Sequence, residues 1–209
     1  MARLLAVVAE DKLTQAVLHK CIAEYLPSFQ ICRSEVKNGR GNVQRELAAY
    51  AKLANTIPVL VGVDLDSDEC APLLLAQWNA FQLLSSTFLL RIAVREVEAW
   101  ILADRKRFVQ FVGGESDDIS QTPDSLDDPK KYLLDFARRV ATEDLKRDLI
   151  PKNYDKQYPR IGPAYNIQMC DFVERRWRPH VAIKRSGSLA RAIRQISELE
   201  NGEVREPRK

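Results

Sequence analysis

The stretch Pro58-Val-Leu-Val-Gly-Val63, followed directly by Asp64-Leu65-Asp66, decides how the fold of this chain is interpreted. It is the most strongly apolar run of strand length in the sequence. A short apolar run that stops abruptly at acidic residues is typical of a buried strand in a parallel sheet. We therefore expect a strand over residues 58–63, with the aspartates just beyond its carboxyl end.

Strand-like runs and helical spacing alternate on both sides of this strand. Upstream, the pattern predicts a strand at 4–9, a helix at 12–25, a more polar strand at 29–33 and a helix at 43–53 capped by Asn42. Downstream, Pro72 fits the first turn of a short helix through Trp78, residues 87–94 predict a fourth strand, and residues 96–109 have helical spacing. This alternation predicts an α/β fold with a mainly parallel central sheet of about four strands, flanked by helices.

The second half of the chain has a different pattern. The pattern predicts an acidic surface loop over 113–128, followed by a helix over 129–140 that residues 144–150 could extend. It then predicts a basic, aromatic-bearing loop over 151–162 and two further amphipathic helices over 165–177 and 188–199. Ser188 is the expected N-cap of the last helix. We expect an α/β core over 1–112, a helical C-terminal extension packed on it over 113–200, and a flexible tail at 201–209.

Composition excludes several classes of protein. The chain has 209 residues, 45% of them hydrophobic, and a formal net charge of +3, so nucleic-acid binding would require a local basic patch. No apolar stretch is long enough to cross a membrane. The four cysteines show no disulfide-like or CxxC spacing, and with only two histidines a zinc site is not expected. These features favour a cytoplasmic protein with reduced thiols.

Three carboxylates are expected near one edge of the sheet. Glu10 follows the first strand, and Asp64 and Asp66 follow the third. Ligands of parallel sheets bind outside the carboxyl ends of the strands, where the strand order reverses. If Asp64-Leu65-Asp66 stays extended, both aspartates point the same way. Such a cluster needs a cation, and oxygen ligands select Mg2+ or Mn2+. The alternative is an ordinary polar turn.

The same three residues resemble a known family. A glutamate after the first strand, then a helix, then Asp-x-Asp after a later apolar strand is similar to the Toprim domain of topoisomerases, primases and overcoming-lysogenization-defect nucleases. The resemblance implies that Glu10, Asp64 and Asp66 bind the metal for phosphoryl transfer. Many Toprim domains have glycine after the glutamate, whereas this chain has Asp11.

Two further segments are similar to uncharacterised bacterial Toprim-like proteins that are suspected to act in phage defence. One is Ile92-Ala-Val-Arg-Glu-Val-Glu-Ala-Trp-Ile-Leu-Ala-Asp104, which matches a pattern of about Arg-Glu-x-Glu-Ala-Trp-Leu-Leu-Ala-Asp. The other is Lys184-Arg-Ser-Gly-Ser-Leu-Ala-Arg-Ala-Ile193, near the C-terminus. With these segments, the resemblance spans most of the chain.

Glu96 and Glu98 lie where the fourth strand meets a helix, next to Arg95. If the helix has begun, residues two positions apart diverge, so only one of the two glutamates is expected in the site. That residue could bind a second metal or orient water. The other glutamate would be stabilised at the helix N-terminus by the helix dipole. Trp100 is expected in the core, and Asp104 is expected to pair with Lys106 or Arg107.

Two groups of cations are candidates for binding phosphate or nucleic acid. Lys37 and Arg40 lie in a loop with two glycines that opens onto a helix, although the loop lacks the ending of a Walker motif. Lys184 and Arg185 belong to a C-terminal patch of cations and aromatic residues that includes Trp177. The alternatives are a flexible basic loop and a solvated basic face with Trp177 in the core.

These residues together predict an Mg2+- or Mn2+-dependent phosphodiester hydrolase acting on nucleic acid. The candidate catalytic residues are Glu10, Asp64, Asp66, Glu96 and Glu98, and the phosphate ligands are Lys37, Arg40, Arg95, Lys184 and Arg185. The main alternative is a non-catalytic module that binds nucleic acid, nucleotide or a partner ATPase. A third hypothesis is a small-molecule phosphotransferase that uses the Gly39-Arg40-Gly41 loop.

Overall fold

A computed structural model describes residues 2–115, 118–153 and 161–202. The strands in this part of the chain are β1 (Arg3–Ala9), β2 (Phe29–Val36), β3 (Val59–Asp64) and β4 (Phe88–Ala93). The helices are α1 (Lys12–Tyr25), α2 (Arg40–Leu53), α3 (Ala71–Gln77), α4 (Val97–Leu102), α5 (Arg105–Val112), α6 (Pro129–Val140), α7 (Glu143–Leu149), α8 (Tyr165–Arg175), α9 (Pro179–Ala182) and α10 (Gly187–Asn201).

The four strands form one parallel sheet with the order β2-β1-β3-β4. The predicted α/β class and its parallel sheet of about four strands are therefore confirmed. After β1 the chain crosses to β2 on one side, and it then returns past β1 to place β3 on the other side. The strand order thus reverses between β1 and β3, where Ala9 is in register with Gly62.

Alternate residues of β1 belong to two different apolar layers. Leu5 and Val7 pack with α1 and with the helices of the C-terminal half, in a core that includes Trp100. Ala6 and Val8 pack on the opposite face, in a smaller core with α2 and β3. The sheet is therefore covered on both faces, and the C-terminal helices share their core with β1 and α1.

Gly62 allows α1 to approach the central strand closely. A Cβ atom at this position would lie 2.8 Å from Leu18 Cδ1 and 3.0 Å from Thr14 Cγ2. This close packing fixes the distance between α1 and β3 directly beside the strand ends that carry Glu10 and Asp64.

We expect Gly62→Ala to lower the free energy of unfolding by about 1–3 kcal/mol, because the added methyl group overpacks a rigid contact. Urea denaturation followed by circular dichroism measures this change. Gly41→Ala is the matched control: it lies in α2 with open space around its Cβ position, so it should be neutral or stabilising by about 0.5–1 kcal/mol. Equal stability of the two variants would contradict the role of Gly62.

The prediction of a single helix over 96–109 is wrong, because the chain forms two helices there, α4 and α5, with Asp104 at their junction. The expected pairing of Asp104 with Lys106 or Arg107 is also wrong. Asp104 is fully buried, and Arg178 donates to its carboxylate from Nε at 2.9 Å, from Nη2 at 2.8 Å and from the backbone N at 3.1 Å. This long-range pair ties the α4–α5 junction to the start of α9.

Three predicted helix boundaries also need correction. Asn42 does not cap α2: the helix begins at Arg40 after Gly39, whose φ of 126° suits glycine, and the Asn42 side chain donates back to Lys37 O. Ser186, not Ser188, caps α10 by accepting a hydrogen bond from Leu189 N. Residues 143–149 form the separate helix α7, which the Thr142 side chain caps.

Part of three predicted segments lies outside the described residues. These are residues 116–117 of the acidic loop, residues 154–160 of the basic loop and residues 203–209 of the tail. Within the described part of the chain, no helix combines the length and apolar character needed to cross a bilayer.

Candidate functional site

The carboxyl ends of β1 and β3 bring Glu10 and Asp64 together at the reversal in strand order. Glu10 N donates to Gly62 O at 3.0 Å, which continues the pairing of the two strands beyond Ala9. The Glu10 side chain then turns toward β3, and its Oε2 accepts a hydrogen bond of 3.0 Å from Asp64 N. Ligands of open α/β sheets bind in this crevice, so the two residues occupy the expected position for a site.

Burial raises the pKa of Glu10, and the negative charges of Asp66 and Asp11 act in the same direction. The hydrogen bond from Asp64 N and the positive charge of Arg40 oppose this rise. Asp11 caps α1: its side chain accepts a hydrogen bond of 2.8 Å from Thr14 N. The Glu10 carboxylate therefore lies in an environment that favours an added cation.

Asp64 is the most enclosed carboxylate on the central strands, with 4% of its surface exposed. Its Oδ1 accepts a hydrogen bond of 2.9 Å from Val97 N at the start of α4. Burial raises the pKa of Asp64 well above its usual range, and the negative charge of Glu98 adds to the effect, while Lys130 opposes it. Asp64 thus links β3 to α4, and its surroundings disfavour its ionised form unless a cation is added.

Asp66 does not point the same way as Asp64, and the expectation based on an extended segment is wrong. Asp66 has a φ of 52°, so the chain turns sharply after Leu65 and period-2 alternation no longer applies. The Asp66 side chain is 41% exposed and lies 3.7 Å from Arg40 Nη1. It therefore sits at the rim of the crevice, next to the cation of α2.

Glu96 and Glu98 both face the same cation, so the expectation that they diverge is also wrong. Glu96 has extended backbone angles and precedes α4, whereas Glu98 lies in its first turn; helical spacing therefore does not relate the two. Lys130 Nζ lies 3.2 Å from Glu96 Oε1 and 3.5 Å from Glu98 Oε1. In addition, Glu96 Oε2 accepts a hydrogen bond of 2.8 Å from Lys130 N, at the start of α6.

Glu98 is the most deeply buried acid of the site, with 1% of its surface exposed. Its Oε1 accepts a hydrogen bond of 2.9 Å from the Tyr165 hydroxyl, and its Oε2 has no hydrogen-bond partner among the described residues. Burial raises the pKa of Glu98 to about 7, although the positive charge of Lys130 opposes the rise. Burial therefore raises the pKa of Glu98 more than the nearby charge of Lys130 lowers it.

Sequence reasoning missed Lys130 and Tyr165, which α6 and α8 bring to the site. One signal was available for Lys130. It lies in the first turn of a predicted helix, where the helix dipole disfavours a cation unless an acid compensates for it. Tyr165 gave no comparable signal, because an aromatic residue at the start of an amphipathic helix is usually a core residue.

The three predicted phosphate ligands near the strand ends are held by protein groups. Lys37 Nζ lies 2.8 Å from the Glu46 carboxylate. Arg40 binds the Asp68 carboxylate and donates to Leu65 O at 2.9 Å. Arg95 Nη1 donates to Asp68 O at 2.6 Å and to Asp66 O at 3.2 Å. Arg40 and Arg95 therefore fix the loop after β3, and Lys37 supports the end of β2.

Lys184 and Arg185 are exposed at the junction between α9 and α10. Ser188 in the first turn of α10 accepts a hydrogen bond of 2.6 Å from Trp100 Nε1, which places this junction beside α4. Trp100 is buried, as predicted. Trp177 is buried too, and its Nε1 donates to Trp100 O, so Trp177 is a core residue and not a stacking platform.

The donor set fits a hard divalent cation in part. Within the described residues, Glu10 Oε1 and Asp64 Oδ2 make no hydrogen bond, and Glu98 Oε2 is also unpartnered. No group of three or more His, Cys, Asp or Glu side chains in the described ranges already has the geometry of a metal site. Mg2+ usually takes one or two carboxylates and keeps several waters, so the pair Glu10 and Asp64 fits it without a complete protein cage.

The fold and the site define an α/β protein with acidic residues at the reversal of a parallel sheet. No protein-family model, curated protein or solved structure matches the chain. The assignment of a function therefore depends on the site itself.

Proposed function

We propose that this chain is an Mg2+- or Mn2+-dependent phosphodiester hydrolase of Toprim type that acts on nucleic acid, with a place in a defence system. One observation carries the proposal: Glu10 and Asp64, on adjacent central strands, meet at the strand-order reversal, and each keeps a carboxylate oxygen free of hydrogen bonds to the described residues. The resemblance of the same residues to the Toprim pattern supports it independently.

In this proposal Glu10 and Asp64 hold the cation, and Asp66 at the rim completes its surroundings through water. A bound divalent cation would polarise the phosphate and lower the pKa of an attacking water. Glu98 offers its unpartnered Oε2 as a proton acceptor or a further ligand. Glu96 accepts a hydrogen bond from Lys130 N and so holds the start of α6 in place. The exposed Lys184 and Arg185 are the cations that we assign to contacts with a nucleic-acid backbone.

We expect Mn2+ to bind with micromolar to low-millimolar affinity, and Glu10→Gln to abolish detectable binding, because the variant loses one of two direct carboxylate ligands. Isothermal titration calorimetry with Mn2+ measures both affinities. Glu24→Gln is the matched control, since Glu24 lies at the other end of α1 and pairs with His180. Unchanged binding by Glu10→Gln would remove this residue from the site.

Cleavage is tested with single-stranded DNA, double-stranded DNA and RNA, each with Mg2+, with Mn2+ and with a chelator. The proposal requires cleavage of at least one substrate that depends on the added cation. Absence of cleavage under all these conditions would contradict the hydrolase.

A non-catalytic module that binds nucleic acid, nucleotide or a partner ATPase is the second candidate. It is favoured by Lys130, because the ammonium group of this residue already partly neutralises the acids without a metal ion. Binding of nucleic acid or nucleotide that persists in a chelator and in Glu10→Gln, without cleavage, would support the module.

A further inference from the structure

The environment of Lys130 is unusual for a lysine at a helix N-terminus. Its ammonium group lies between the carboxylates of Glu96 and Glu98, and its charge also interacts with that of Asp64. The positive end of the α6 dipole and partial burial both disfavour a cation here. Lys130 is therefore held in this position by the acids, which outweigh both effects.

One ammonium group cannot neutralise this cluster when all of its acids are ionised. Asp64, Glu96 and Glu98 carry up to three negative charges, against the single positive charge of Lys130. The other carboxylate oxygen of Glu98, Oε2, is buried and has no hydrogen-bond partner in the described part of the chain. A divalent cation would supply the charge and the ligand bond that Lys130 leaves missing.

We propose that Lys130 is an internal competitor of the divalent cation: its ammonium group substitutes for the cation in the metal-free protein, and it gives up its contacts with Glu96 and Glu98 when a divalent cation binds. This inference rests on the proposed function, because it concerns regulation of the same site. According to this inference, a residue of α6, in the C-terminal half, controls how tightly the site at the strand ends binds the divalent cation.

Removal of the competing charge should strengthen metal binding. We expect Lys130→Gln to lower the Kd for Mn2+ by at least about tenfold, because the acids lose their internal counter-charge. Lys130→Arg keeps the charge and should stay within about threefold of the wild type. Isothermal titration calorimetry on the full chain, after removal of metal with a chelator, gives these values.

Lys131→Gln is the matched control, because Lys131 is the next residue of α6 and pairs with Asp135 outside the site. Its Mn2+ affinity should equal that of the wild type. An unchanged or weaker affinity of folded Lys130→Gln overturns the inference, and so does an equal gain in Lys131→Gln.

A second measurement uses the wild-type chain, in case Lys130→Gln does not fold without metal. Acetic anhydride acetylates accessible lysines, and mass spectrometry reports the extent at each position. Saturating Mn2+ should raise acetylation of Lys130 severalfold, because its contacts with Glu96 and Glu98 are lost, and leave Lys131 within about twofold. Unchanged or reduced acetylation of Lys130 overturns the inference.

The two proposals fail in different ways. If the wild type cleaves nucleic acid with Mn2+ but Lys130→Gln binds Mn2+ no more tightly, the competitor role is wrong and the hydrolase stands. If Lys130→Gln binds Mn2+ more tightly but cation-dependent cleavage is absent, the hydrolase is wrong and the competitor role stands.

Discussion

Asp64→Asn is expected to lower cation-dependent cleavage of nucleic acid by more than about 100-fold while the protein stays folded. The substitution removes the charge of the most enclosed carboxylate on the central strands. Loss of a group that only supports a metal ligand typically costs 10–100-fold, so loss of a direct ligand should cost more than about 100-fold. A cleavage assay with Mg2+ and with Mn2+, at equal concentrations of folded protein, measures the effect.

The fold should tolerate this change for a specific reason. The asparagine side chain of the variant would keep an Oδ1 acceptor for the hydrogen bond from Val97 N that joins β3 to α4. The change would also replace a buried carboxyl group, whose ionisation burial disfavours, by a neutral amide. We therefore expect the free energy of unfolding near neutral pH to be unchanged or higher, as measured by urea denaturation. A stable variant without cleavage would separate a functional role of Asp64 from a structural one.

Asp66→Asn provides the comparison within the same loop. Asp66 is 41% exposed and lies beside Arg40 at the rim, so its loss should reduce cleavage less than the loss of Asp64 does. If Asp64→Asn cleaves as fast as the wild type, the proposed hydrolase is wrong. If Asp66→Asn is the more damaging change, the cation lies nearer the rim than we propose.

The parallel sheet was predictable because its signals are local. The apolar run before Asp64 and the helical spacing of residues 12–25 both appear within short windows, and the structure forms β3 and α1 there. The edge strand β2 was harder to delimit, because its residues are largely exposed and their pattern is weak. The positions of Glu10 and Asp64 then followed from the general rule that ligands bind at strand ends.

The remainder of the site depends on contacts that sequence periodicity does not encode. Lys130 reaches Glu98 from a position 32 residues further along the chain, and Tyr165 reaches it across 67 residues. The sequence left a polar turn at Asp66 open as an alternative, and only the φ of 52° at this residue shows that the strand pattern has ended. Similarly, α4 and α5 look like one helix until Arg178 is seen to bind Asp104.

Glu98→Gln is expected to change how stability depends on pH. Burial raises the pKa of Glu98 from 4.5 to about 7 in the folded protein. Between these values the folded state holds a proton that the unfolded state has lost, so this group makes folding less favourable as pH rises through that window. The glutamine that replaces Glu98 does not titrate. The advantage of the variant over the wild type in free energy of unfolding should therefore grow by about 2 kcal/mol from about pH 5 to about pH 8.

The pH dependence separates this effect from a simple loss of contacts. Loss of the hydrogen bond from the Tyr165 hydroxyl would shift stability by a similar amount at each pH. The ion pair with Lys130 needs an ionised Glu98, so its effect is already contained in the raised pKa. Urea denaturation at several pH values, in a chelator, gives the difference between variant and wild type. Glu143→Gln is the control, because the Glu143 side chain is 86% exposed and pairs only at the surface with Lys146; its difference from the wild type should stay constant within about 0.5 kcal/mol. A constant difference for Glu98→Gln as well would mean that Glu98 is already ionised in the folded protein at about pH 5. In that case Lys130 would lower the pKa of Glu98 at least as much as burial raises it.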